Sequence, residues 1–164
     1  MKPAKINLYR YIAVPTKNPK DLQNSLCGVF HDPDTKAAVA CDMFVIISDT
    51  TQYNPDLAGK IIDKKGNEIP IKYPSYRNHI PSDCDHALDL SAITKESVKE
   101  ARKKHWTERH IDCEEVRINP RYASLMLKVG LDHWNTPSYK VGYGAIVKRT
   151  ETLTVMVMPI IRPF

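Results

Sequence analysis

The pairing with the greatest chemical reach in this sequence is Cys84 with His86, a thiol two residues from an imidazole. A thiolate activated by an imidazole is the nucleophile of many hydrolases. Asp83, Asp85 and Asp89 stand around the pair and offer a nuclease-type carboxylate cluster as the alternative. Two features weigh against an enzyme. Neighbours in sequence seldom aim at each other as a nucleophile and its base must, and no oxyanion-binding loop, Gly-rich phosphate loop or G-x-S-x-G accompanies them. A surface loop with solvated carboxylates is the simpler reading.

His105, His110 and Cys113 also lie close together, and Cys84 runs directly into Asp85 and His86. None of these residues forms a ligand pair one turn apart on a helix. The four cysteines, Cys27, Cys41, Cys84 and Cys113, contain no C-x-x-C spacing. No metal and no cofactor is expected, and the thiols read as reduced.

A third pattern is basic. Lys95, Lys99, Arg102 and Lys103 fall on one side of a helix beginning at Thr94, because successive residues turn by about 100°. Such a face suits a phosphate backbone, which lysine and arginine engage without reading sequence. Glu96, Glu100 and Glu108 share the segment, so a solvated face laced with weak ion pairs competes with DNA binding.

The elements that must position these groups can be read from pattern. Strands are expected at 6–14, 25–31, 37–41 and 43–47, with an Asp32-Pro-Asp-Thr turn between the second and third. A short hairpin is expected over 60–72. One helix runs from Thr94 to Trp106 with Val98, Ala101, His105 and Trp106 as its apolar stripe. A second is capped by Asn119, opened by Pro120, carried by Tyr122, Leu125, Met126 and Val129, and closed by Gly130 in a left-handed conformation. Strands return at 139–149 and 153–161. The fold class is α+β, with an antiparallel sheet and two helices packed on one face. The 164 residues suit one domain, 1–164, with a turn-rich insertion at about 49–72.

Lysine and arginine total 24 against 19 acidic residues, a net charge of +5, which accords with a nucleic-acid partner but is common elsewhere. No signal-peptide run and no stretch of roughly 18 apolar residues occurs, so a cytoplasmic protein without membrane contact is expected.

Three separated segments resemble the bacterial sliding clamp, the beta subunit of DNA polymerase III, in the same order. Ala40-Cys41-Asp42-Met43-Phe44-Val45-Ile46 is similar to an Ala-Thr-Asp-Gly-His-Arg-Leu motif, keeping only Ala40 and Asp42. Tyr73-Pro-Ser-Tyr-Arg-Asn-His-Ile-Pro81 is close to Tyr-Pro-Asp-Tyr-Arg-Arg-Val-Ile-Pro. Val157-Met158-Pro159-Ile160 resembles the closing Val-Met-Pro-Met. The resemblance touches about half of the chain. It implies a single clamp-like domain whose cleft takes short linear peptides from polymerases and repair proteins. The lining carried over is Cys41, Phe44, Val45, Ile46, Pro81, Met156, Met158 and Pro159. The implied protein is noncatalytic and engages double-stranded DNA, replication or repair proteins, or further copies of itself. A small hydrolase or nuclease, and an oligomerisation protein of a phage or mobile element, stand as alternatives.

Overall fold

The computed structural model describes residues 5–18, 21–141 and 144–160. In chain order the strands are β1 (Val29–Asp32), β2 (Ala37–Cys41), β3 (Val45–Asp49), β4 (Ile61–Ile62), β5 (His86–Ala87), β6 (Ile111–Asp112), β7 (Arg117–Ile118), β8 (Asn135–Thr136), β9 (Ile146–Arg149) and β10 (Leu153–Val157). The α-helices are α1 (Lys95–Lys103) and α2 (Pro120–Val129). The protein is α+β with antiparallel pairing, as expected. Its chain divides into two compact units, an N-terminal one formed by Asn7–Ile80 with Arg149–Met156, and a C-terminal one built on Pro81–Lys148 and the residues just after 156.

The N-terminal unit orders its strands β4-β1-β2-β3-β10. β1 meets β2 with Phe30 opposite Val39 and Asp32 opposite Ala37, and β2 meets β3 with Cys41 opposite Ile46. All five residues of β2 are buried, so the strand is covered on both faces and shows no alternation. Small side chains at Ala37, Ala38 and Ala40 make that double burial feasible. Gly28 lets the edge strand close in, since a Cβ there would stand 2.6 Å from the carbonyl oxygen of Ile62.

In the C-terminal unit β9, β8 and β5 are neighbours, and β6 and β7 form a separate hairpin. Both α-helices belong to this unit and pack on each other. Thr94 caps α1 through a reciprocal box with Ser97, and Asn119 and Pro120 open α2 as their types dictate. Trp134, Leu125, Met126, Ile118 and Ile146 are almost fully buried and form the core. The chain end joins β7 by an amide of Ile160 donating to the carbonyl of Arg117 at 2.8 Å.

Several expected elements differ. Residues 6–14 form a 3-10 turn at Leu8–Arg10, because the Asn7 side chain accepts the Tyr9 amide and ends extension locally. The strand expected from Ser25 begins only at Val29, after a 3-10 turn over Leu22–Leu26 capped by Asp21. α1 stops at Lys103, so His105 and Trp106 leave its apolar stripe, and Trp106 is 75% exposed. The strand expected over 139–149 is confined to β9, with Ser138–Lys140 turned as 3-10 after Pro137. β10 ends at Val157, and the rest of that expectation beyond Ile160 lies outside the described residues. Gly130 does take a positive φ of 88°, but its ψ of 144° is extended, not left-handed helical. The buried Lys148 explains the exit: its ammonium donates to the carbonyls of Gly130 and Asp132 and to an Asp132 carboxylate oxygen, at 3.1, 2.8 and 3.1 Å.

Candidate protein-binding surface

Asp42 organises the β2–β3 turn. One of its carboxylate oxygens accepts the amides of Phe44 and Val45 at 3.1 and 3.0 Å, and its own amide donates to the Val45 carbonyl. The Met43 amide points to the Cys41 sulfur at 3.4 Å. This closure forces Met43 to a φ of 79°, a region that costs a non-glycine residue about 1–2 kcal/mol. Met43 and Phe44 are each 58% exposed, side by side at the tip. Beneath them Cys41, Val45 and Ile46 are buried, and burial pushes the Cys41 thiol up, away from thiolate chemistry. Met156, on β10 beside β3, is buried in the same unit. Of the residues carried over to the lining within this unit, Phe44 alone offers substantial surface. Met43, which the resemblance did not put in the lining, offers as much. Its signal in the sequence was a bulky residue where a turn favours glycine. Pro81, Met158 and Pro159 belong to the C-terminal unit; Pro159 is buried and the other two are half-buried.

The tyrosine-proline segment has a different role. Tyr73 stacks on Phe30 with ring centroids 4.7 Å apart, and Tyr76 meets Tyr73 edge-on. The Tyr76 hydroxyl donates to Asp32 at 2.7 Å, while Arg77 reaches Asp34 at 2.7 Å and Asp32 at 3.8 Å. These contacts clasp the segment to the β1–β2 turn. Burial acts to raise the Asp32 pKa. Hydrogen bonds from Tyr76, the Asp34 amide and Thr35, with the charge of Arg77, outweigh it and hold the carboxyl below its ordinary range. Burial, together with Asp32, pushes the Tyr76 phenol up to about 12. Burial also carries Tyr73 well above its usual value, and its hydroxyl has no hydrogen-bond partner among the described residues.

The groups that suggested catalysis diverge. The Cys84 thiol lies 3.6 Å from the Pro81 carbonyl oxygen, whereas His86 Nε2 sits 2.9 Å from both carboxylate oxygens of Glu115. Asp83 accepts from Ser82, Asp85 takes the amide and hydroxyl of Ser138, and Asp89 takes the amide of Ser91. Those Ser138 and Ser91 bonds keep the Asp85 and Asp89 carboxyls low, as ordinary turn carboxylates. Among the described residues no group of three His, Cys, Asp or Glu side chains could hold a metal ion, and no helix is long and apolar enough to cross a membrane.

On α1, Lys95, Lys99, Arg102 and Lys103 are all exposed, while Val98 and Ala101 are buried. Arg102 donates to Ser124 at 2.7 Å, and Lys103 pairs with Glu100 at 2.8 Å.

No protein-family model matches the sequence, and no curated protein matches it. Among solved structures, the chain is similar to the DNA polymerase III beta chain of Streptococcus pneumoniae TIGR4, with a TM-score of 0.56 and 12% identity. The similarity covers 94% of this chain and 62% of that one. At that identity the likeness is one of fold, and the chain spans less than two thirds of the protein it matches.

Proposed function

We propose that this chain is a noncatalytic, clamp-like binding module of DNA replication or repair, taking short linear peptides at the β2–β3 tip and double-stranded DNA along α1. The observation that carries the reading is the Met43–Phe44 pair: two large apolar side chains, 58% exposed, held out by a turn that keeps a methionine at positive φ. Strain retained beside exposed apolar surface marks a place where the turn's shape has a use. Burial of Phe44 against a leucine or phenylalanine of a peptide contributes about 1.5–3 kcal/mol. The clamp-like fold supports the same reading, since the tip is the segment that resembles the peptide-binding motif of that family. Pro81, Met158 and Pro159 enter this reading only through the resemblance.

For DNA, Lys95 and Lys99 supply the electrostatic contacts, with Arg102 and Lys103 after release from Ser124 and Glu100. Single-copy encirclement is not part of the proposal; assembly of copies would be required, and the solution mass measures it.

A labelled clamp-binding peptide rich in leucine and phenylalanine, titrated by fluorescence anisotropy, tests the module. Binding that is lost in Phe44→Ser is the expected result. The absence of binding at high micromolar peptide, together with DNA binding insensitive to salt, would overturn the reading.

A further inference from the structure

A second surface of the N-terminal unit lies away from the hairpin tip in sequence. A groove of about 600 Å³ is lined by residues 12, 13, 15–17, 24 and 27 together with 63–65, 69 and 71. Its volume is that of an ordinary ligand site. Ile12, Pro15, Ile69 and Ile71 give it an apolar floor, and Lys17, Lys64 and Lys65 supply its cations. Ile71, 39% exposed, carries that floor out to the surface.

The polar lining is already committed. Thr16 donates its amide to the Asn24 side chain, which donates back to Thr16 Oγ1 and to the Asn18 carbonyl. Asp63 accepts the amides of Lys65 and Asn67, both at 2.8 Å, and the Asn67 side chain at 3.1 Å. The three lysines make no ion pair among the described residues. What the groove has left to offer is apolar burial and positive charge. Among the described residues it has no aromatic lining on which nucleic-acid bases could stack.

We infer that this groove docks an acidic linear segment of a partner protein, one or two leucine or phenylalanine side chains seated on the isoleucine floor and flanking carboxylates facing Lys17, Lys64 and Lys65. Charge complementarity selects the occupant: three lysines against one carboxylate that is tied into its own turn. The apolar floor of Ile12, Pro15, Ile69 and Ile71 suits a peptide that carries apolar side chains better than a compact anion, which has nothing to bury there.

The test uses the full chain and a fluorescein-labelled octapeptide, Asp-Asp-Leu-Phe-Asp-Leu-Glu-Glu. Companion peptides carry serine in place of the three apolar residues, or lysine in place of the acids. Expected are saturable binding of the first peptide that weakens with salt, and at least tenfold weaker binding of either companion, in line with roughly tenfold per 1.4 kcal/mol. The double variant Lys64→Glu with Lys65→Glu is expected to weaken binding about tenfold, and Ile71→Ser about threefold, with thermal melts showing both variants folded. In a Phe44→Ser background, which removes the hairpin tip as a competing site, the lysine reversals are expected to weaken binding by the same factor. The inference is overturned if the serine companion binds equally well, if the lysine reversals change nothing, or if no binding occurs at millimolar peptide. Loss in Phe44→Ser with no effect of the lysine reversals would place the peptide on the hairpin tip, and would sink the groove while sparing the module.

Discussion

Two turns of one unit, ten residues apart, are built on the same device and treated oppositely. In each, an aspartate side chain accepts backbone amides, Asp32 from Asp34 and Asp42 from Phe44 and Val45. In each, a non-glycine residue carries a positive φ, 50° at Lys36 and 79° at Met43. The β1–β2 turn has exposed residues at 33–36 and is clasped through Asp32, Asp34 and Thr35 by Tyr76 and Arg77; the β2–β3 turn has no such clasp and carries two exposed apolar residues at its tip. The same local chemistry therefore serves architecture in one place and presents a surface in the other. The deciding factor is what a distant segment brings to the turn.

Removing the clasp is expected to have the largest effect. Tyr76→Phe leaves the buried Asp32 short of a hydrogen bond, at a cost of about 1–3 kcal/mol in denaturant unfolding. A loss under about 0.5 kcal/mol would reduce the clasp to incidental packing and erase the contrast between the turns.

Acid titration sharpens the point. Asp32 has a folded pKa below its unfolded value near 3.8, so its stabilising contribution is present above that pH. The contribution is lost as pH falls through the folded value. The stability gap between the native chain and Tyr76→Phe should be constant from neutrality to about pH 5 and shrink below the unfolded pKa. A gap that widens on acidification contradicts the assigned network.

Tyr73→Phe separates the two tyrosines of one motif. It removes a buried hydroxyl without a described partner and keeps the stack on Phe30, so stability is expected to stay level or rise by up to about 1 kcal/mol. A loss as large as that of Tyr76→Phe would show that the Tyr73 hydroxyl does have a partner.

The unclasped turn gives the smallest shifts. Met43→Gly relieves the positive φ but loosens the unfolded chain, for a net gain below about 1 kcal/mol. Phe44→Ser, at an exposed site, is expected to move stability by no more than about 0.5 kcal/mol while abolishing peptide binding at the hairpin tip. A marked destabilisation would make Phe44 a structural residue.

The sequence by itself determined the α+β class, the start of both helices with their N-caps, and two strands close to β2 and β3 with Asp42 between them, because capping, turn chemistry and apolar period act over a few residues. It also showed the three segments that resemble a sliding clamp. It did not determine that β2 would be buried on both faces, that α1 would shed Trp106, or that Lys148 would seal the end of α2 from eighteen residues away. Nor did it show that the tyrosine-proline segment serves as a clasp while Met43 and Phe44 stand exposed. Those outcomes depend on which remote side chain arrives to satisfy a buried donor or acceptor. Only packing in three dimensions decides that, since a carboxylate such as Asp32 or Asp42 looks the same in sequence whether a tyrosine or water meets it.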